Sequence, residues 1–138
     1  MSKINVKIKT KLIKNGKYYE YEDVNYLNEP MIIFDYNKKC NYTIIIVDLD
    51  VINIDTGRKY IFLHMIKVNN NEIINKYLPP YPSINSGIHT YKILICKQEH
   101  ELNIEEQERR NFNLNYFVKK NNLDIISCFE FKTSRENV

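Results

Sequence analysis

The stretch Tyr42-Thr43-Ile44-Ile45-Ile46-Val47-Asp48-Leu49-Asp50 decides the reading of this chain. From Tyr42 to Val47 every side chain is aromatic or β-branched, the residue types that pack best on a pleated surface. The run is far shorter than the roughly 20 residues of a membrane span. A strand with one face in water would alternate with polar residues, and this one does not. It therefore reads as a central strand covered on both faces. It ends on two aspartates. A regular strand puts residues i and i+2 on one face, so Asp48 and Asp50 are expected to point the same way. Two carboxylates this close repel, which calls for a cation or hydrogen-bond donors beside them.

Other strands surround this one in sequence. Ile4, Val6, Ile8, Thr10 and Leu12 alternate with Asn5, Lys7, Lys9 and Lys11, which predicts one strand with a lysine-rich solvent face. Asn15-Gly16 suits a tight hairpin turn, and Tyr18, Tyr19 and Tyr21 then begin a return strand. Further strands are predicted at Met31–Phe34, Tyr60–Val68 and Ile88–Cys96, with a last one around Phe129 and Phe131. Pro79, Pro80, Pro82 and Gly87 make 76–87 a rigid loop. One short helix is predicted, capped by Asn113, with Phe117 and Val118 inward and Lys119 and Lys120 at its end. No repeat or linker divides the 138 residues, so one mostly β domain over 1–138 is expected.

Composition excludes more than it assigns. A hydrophobic share of 43% opposes disorder, and three glycines cannot build a phosphate loop. Ile, Asn, Lys and Tyr supply 67 of the residues and alanine is absent. That bias favours strands, and it equally fits adenine- and thymine-rich coding, as in a large DNA virus or a parasite. A net charge of +3 is too small and dispersed for a dedicated nucleic-acid binder. Cys40, Cys96 and Cys128 show no paired spacing and read as reduced thiols. The first residues carry lysines rather than a signal peptide's apolar core, so a cytoplasmic location is expected.

Only three histidines occur, and His64 and His89 lie inside apolar strand sequence. With Asp48 and Asp50 they leave several readings open. They are satisfied core residues, or a ligand pocket whose histidines titrate near neutrality, or a metal-assisted hydrolase using the four side chains as ligands. A nucleophilic hydrolase has less support, because no Gly-x-Ser-x-Gly stands in the chain.

Several blocks in order resemble the phosphatidylethanolamine-binding protein family, which includes the Raf kinase inhibitor protein and the plant flowering-time regulators. Tyr42–Asp50 resembles the strand that leads into its Asp-Pro-Asp-Ala-Pro signature. Phe62-Leu63-His64-Met65 resembles its Trp-x-His-Trp strand, and Tyr77–Gln98 its Pro- and Gly-rich loop with the following His-Arg-Tyr strand. Arg110-Asn111-Phe112-Asn113 with Phe117 and Asn122-Leu123 is similar to a later block, and Ser134–Asn137 to the short tail of the plant-type members.

The resemblance implies an antiparallel β-sandwich, with a large central sheet, a smaller sheet and one or two short helices. It implies a pocket for phosphate, phosphorylethanolamine or another small anion, formed by Asp48, Asp50, His64, Pro82, His89 and Tyr91. Phe62, Tyr81 and Ser83 take rim positions. It implies a non-enzymatic regulatory binding module with no cofactor or metal and no catalytic residue. Its partners would be a phospholipid headgroup or small anion and a protein such as a kinase or a protease. The chain departs from the pattern at Leu49 and Ile52, where the signature has proline, and at Tyr81 and Asn85, where the loop has glycine. Tyr81 is thus expected to narrow the pocket mouth or close it, which leaves a degenerate member with a closed pocket as a further alternative.

Overall fold

The computed structural model describes residues 4–136; Asn137, part of the tail block, lies outside them. Two sheets face each other. The smaller has three strands, β1 (Ile4–Ile8), β2 (Lys11–Ile13) and β4 (Met31–Phe34), in the order β2-β1-β4. Between β2 and β4 the chain passes through the two-residue strand β3 (Lys17–Tyr18) and the one-turn helix α1 (Tyr21–Val24). The larger sheet joins β3 to β5 (Asn41–Ile52), β6 (Lys59–Val68), β7 (Glu72–Asn75), β8 (His89–Gln98) and β9 (Asp124–Thr133), in the order β3-β9-β8-β5-β6-β7. All its pairings are antiparallel except β3 with β9. A second helix, α2 (Leu114–Lys120), precedes β9. The architecture is mostly β, as the residue pattern implied, and is the sandwich that the family resemblance implied.

The run that opened the reading is central, with β6 on one side and β8 on the other. Its alternate residues serve two cores. Ile46 joins Val6, Ile8, Met65, Ile93 and Phe129 in the layer under the small sheet. Ile45 and Val47 join Leu63, Leu94, Phe112 and Phe117 on the opposite face, beneath α2. This two-sided burial explains the missing polar alternation. Each such side chain contributes roughly 1.5–3 kcal/mol on leaving water. The Asn113 side chain caps α2, accepting from the Tyr116 N–H at 3.1 Å.

Three local expectations fail. The alternation over 4–12 is two strands, because Ile8 pairs with Lys11 and the chain turns at Lys9 and Thr10. Lys9 takes a left-handed φ of 59°, a turn with none of the usual Gly, Asn or Asp punctuation. Asn15-Gly16 does turn, with the Lys17 N–H donating to Lys14 O at 3.3 Å, but it leads from one sheet into the other and closes no hairpin. The tyrosine-rich return strand is only β3, and α1 takes over from Tyr21.

Candidate ligand-binding site

The site forms where β5, β6 and β8 meet the irregular loop 76–88. At the end of β5 the pairing with β6 shifts between Asp48 and Val51. That bulge breaks the period of two, and the two aspartates separate. Asp48 is buried. Its Oδ2 accepts from His89 Nδ1 at 2.7 Å and its Oδ1 from the Asp50 N–H at 2.8 Å. Asp50 turns to the side of the sheet, where its carboxylate accepts from Lys59 Nζ at 3.0 Å and from the Thr90 N–H at 2.7 Å. Burial would raise the Asp50 pKa, but the bonds from Lys59 and Thr90 outweigh it and hold it below the usual value. Asp50 does not line the cavity.

The histidines hold the loop to the sheet. His64 Nδ1–H donates to Leu78 O at 2.6 Å, while the Leu78 N–H donates to His64 O at 2.9 Å. Arg109, a residue that the sequence did not single out, donates to the carbonyls of Leu63, His64 and Lys76 and so fixes the start of the loop. The other ring nitrogen of His64, Nε2, has no hydrogen-bond partner among the described residues. Burial lowers the His64 pKa, with the nearby Asp48 and the Leu78 carbonyl opposing it only in part. The ring is therefore neutral at pH 7, and Nε2 is an acceptor.

His89 is buried between two partners. Opposite its bond to Asp48, Nε2 lies 2.8 Å from Ser86 Oγ. Tyr91 stands behind both rings, in edge contact with His64 and stacked on His89 and Phe131. It is fully buried and backs the cavity without lining it. Its hydroxyl has no hydrogen bond of good geometry, and burial together with the nearby Asp48 charge raises its pKa far above the ordinary value.

These groups floor a cavity of about 710 Å³. Phe62, Tyr81, Pro82 and Ser83 all line it, together with Ser86 and Leu78, which the sequence left unnamed. Its walls are mainly apolar, and no lysine or arginine of the described residues stands among them. Large apolar side chains surround the mouth in the open: Ile54 is 95% exposed and Tyr81 70%. Tyr81 thus leans outward and does not plug the cavity. Arg135 holds it there, with its guanidinium 4.2 Å from the Tyr81 ring centre and Nη1 donating to Pro82 O at 3.2 Å. The Asn85 N–H, at a left-handed φ of 60° where the family pattern has glycine, donates to Arg135 O at 2.7 Å. The tail and the loop are therefore tied together.

The proposed four-ligand metal set is not assembled. Asp50 is committed to Lys59 and Thr90, and no group of three His, Cys, Asp or Glu side chains is placed to share a metal among the described residues. Cys96 is buried, which pushes its thiol up to about 12, and the three cysteines are all free.

No family model matches the chain. A phosphatidylethanolamine-binding protein homolog of Acanthamoeba polyphaga mimivirus is 32% identical over 132 residues, spanning 89% of this chain and 91% of the relative. The chain belongs to the phosphatidylethanolamine-binding protein family. Solved structures agree on the fold. A carboxypeptidase Y inhibitor, complexed with its cognate proteinase, superposes with a TM-score of 0.78 at 17% identity, over 96% of this chain and 82% of the inhibitor chain. The phosphatidylethanolamine-binding protein from Plasmodium vivax gives 0.74 at 15%, over 97% and 85%. Of the residues that the resemblance assigns to a pocket, Asp48, His64, Pro82 and His89 line one cavity, whereas Asp50 and Tyr91 do not. No helix among the described residues is long and apolar enough to cross a membrane.

Proposed function

We propose that this chain is a cytoplasmic, single-domain binding protein whose cavity takes a small phosphate-bearing or other anionic headgroup. Binding, not turnover, is its principal role. The observation that carries this reading is His64. Its neutral ring lines the cavity beside the Asp48–His89 pair, with Nδ1 committed to Leu78 O and Nε2 left for a ligand. An acceptor at that position selects ligands that bring a donor of their own. A phosphate monoester in its singly protonated form brings a P–OH, and an ethanolamine headgroup brings an ammonium. Since no lysine or arginine among the described residues lines the cavity, the attraction is carried by a few hydrogen bonds of about 1.5–3 kcal/mol each. After the cost of association, millimolar affinity follows for a lone headgroup. The apolar walls then add to the binding of ligands with a hydrocarbon part.

The regulatory role rests on a protein partner. Its class is suggested by the fold neighbour that inhibits a proteinase. The headgroup reading is tested by NMR titration with phosphorylethanolamine and with inorganic phosphate between pH 5 and 8. Resonances of the cavity residues should move, and His64→Gln and His89→Gln should weaken binding. Unchanged affinity in both variants refutes the reading.

A further inference from the structure

Three side chains of the cavity are joined in a sequence that binding alone does not require. Ser86 Oγ lies 2.8 Å from His89 Nε2, and His89 Nδ1 lies 2.7 Å from Asp48 Oδ2. The far oxygen of Asp48 is fixed by the Asp50 N–H at 2.8 Å. A hydroxyl on one ring nitrogen and a buried carboxylate on the other is the arrangement in which an imidazole draws a proton from a serine. Asp48 and His89 are buried, and Ser86 is partly exposed at the cavity surface. The next residue, Gly87, takes a φ of 92°, and its N–H has no acceptor among the described residues. The amide that follows the nucleophile is a common donor to the oxyanion of acyl transfer.

From this geometry we infer that the cavity carries a serine acyl-transfer centre, with Ser86 as nucleophile and His89 as general base, acting on small esters with an apolar acyl or aryl group. Asp48 is a positioning residue that works through the ring. Ser86 Oγ attacks the ester carbonyl carbon and an Oγ–C bond forms, while the hydroxyl proton passes to His89 Nε2. Collapse of the tetrahedral adduct breaks the ester C–O bond, and His89 returns the proton to the departing alkoxide. Water, giving its proton to His89, then attacks the acyl-serine. Carboxylic acid leaves and Ser86 recovers its proton. The apolar walls, among them Ile52, Phe62, Leu78 and Ile84, fit the acyl or aryl part.

One competing bond sets the terms of the test. Ser86 Oγ is also 2.6 Å from Ser83 O. A hydroxyl has one proton. Donated to Ser83 O, it leaves Ser86 only to accept from the ring, and the serine is not activated. Donated to His89 Nε2, it makes the nucleophile–base pair. A rotation about the Cβ–Oγ bond interconverts the two. This inference is independent of the headgroup reading, since either stands if the other fails.

The experiment incubates the full chain with a fluorophosphonate probe and locates the adduct by mass spectrometry, alongside hydrolysis of p-nitrophenyl acetate. One adduct on Ser86 is expected, absent in Ser86→Ala. Its rate should fall on the order of 100-fold or more in His89→Gln, the usual contribution of a positioned general base. In Asp48→Asn the labelling should slow, and the downfield proton resonance of the His89 Nδ1–H should disappear. At an unchanged fold, checked by circular dichroism, the pH dependence of the labelling rate should also shift in this variant, which a purely structural aspartate would not cause. No adduct on the wild-type protein, an adduct on another residue, or an equal rate in a folded His89→Gln variant would overturn the inference. Ser86→Ala removes only an oxygen at a partly exposed turn, so it keeps the test sound if the histidine variant fails to fold.

Discussion

Removing the Asp48 carboxylate should cost the fold about 3–5 kcal/mol. In Asp48→Ala, His89 Nδ1 loses its acceptor in a place where both side chains are only 3% exposed. A buried donor left without its acceptor typically costs about 1–3 kcal/mol. The Asp50 N–H also loses its acceptor, and a void opens behind Tyr91. For a chain of this length roughly 4 °C of melting temperature accompanies each kcal/mol, so a drop of about 12–20 °C is expected. Urea unfolding followed by circular dichroism measures it, with the midpoint falling and the slope unchanged. The cause is isolated by a cycle with His89→Ala. If the pair is the source, the double variant loses much less than the sum of the two singles. A loss below about 1 kcal/mol in Asp48→Ala, or strict additivity in the cycle, would refute the view that this pair organises the site.

Three further outcomes follow from single side chains. The folded-state pKa of His64 lies below its unfolded value, so the unfolded chain binds more protons on acidification. Stability should then fall as pH drops below about 6.5, by at most about 1.4 kcal/mol per pH unit, and His64→Gln should flatten that limb of a pH–urea profile. Tyr81→Ala should leave the melting temperature within a few degrees, since the exposed ring contributes about 0.5–1 kcal/mol through Arg135, and calorimetry should find bulkier phosphate esters binding more tightly once the ring no longer lines the mouth. Asn113→Ala should cost about 1 kcal/mol through the lost cap of α2, read by thermal melts, with no change in ligand binding.

What the sequence disclosed depends on how far each residue's role is local. The run Tyr42–Val47 announced a two-sided strand because both faces must be apolar, and β5 is central. The cap at Asn113 was equally legible, since a cap needs only its own turn. The turn at Lys9 was hidden, because Ile8, Thr10 and Leu12 continue the alternation across it and no turn residue marks the break. Edge strand β7 is four residues long and carries no clear period. Asp50 was placed beside Asp48 by the rule for regular strands, and the bulge before Val51 overrules it. Ser86 had a signal that went unused. It stands three residues before a pocket histidine in a glycine-containing loop, a spacing at which a turn can fold a hydroxyl back onto the ring.

The site separates into a floor and a rim held by different forces, and this bears on how its ligands are chosen. Loop 76–88 has no ladder of its own. It is held by side chains and by the tail: His64 brackets Leu78, Arg109 donates to the Lys76 carbonyl, Arg135 donates to the Pro82 carbonyl, and the Asn85 N–H donates to Arg135 O. Those anchors are buried or shared between elements, so changing one disturbs several contacts at once. The rim residues Ile54, Tyr81 and Ile84 pack little and stand largely in solvent. Substitutions there cost little stability. Selection can therefore reshape the mouth, and with it the size and polarity of what enters, while the Asp48–His89–Ser86 floor and its chemistry stay in place. The departures from the pattern that the resemblance implies follow that division: Tyr81 at the mouth and Asn85 in the loop stand where that pattern has glycine, while His64 and His89 stand on the floor.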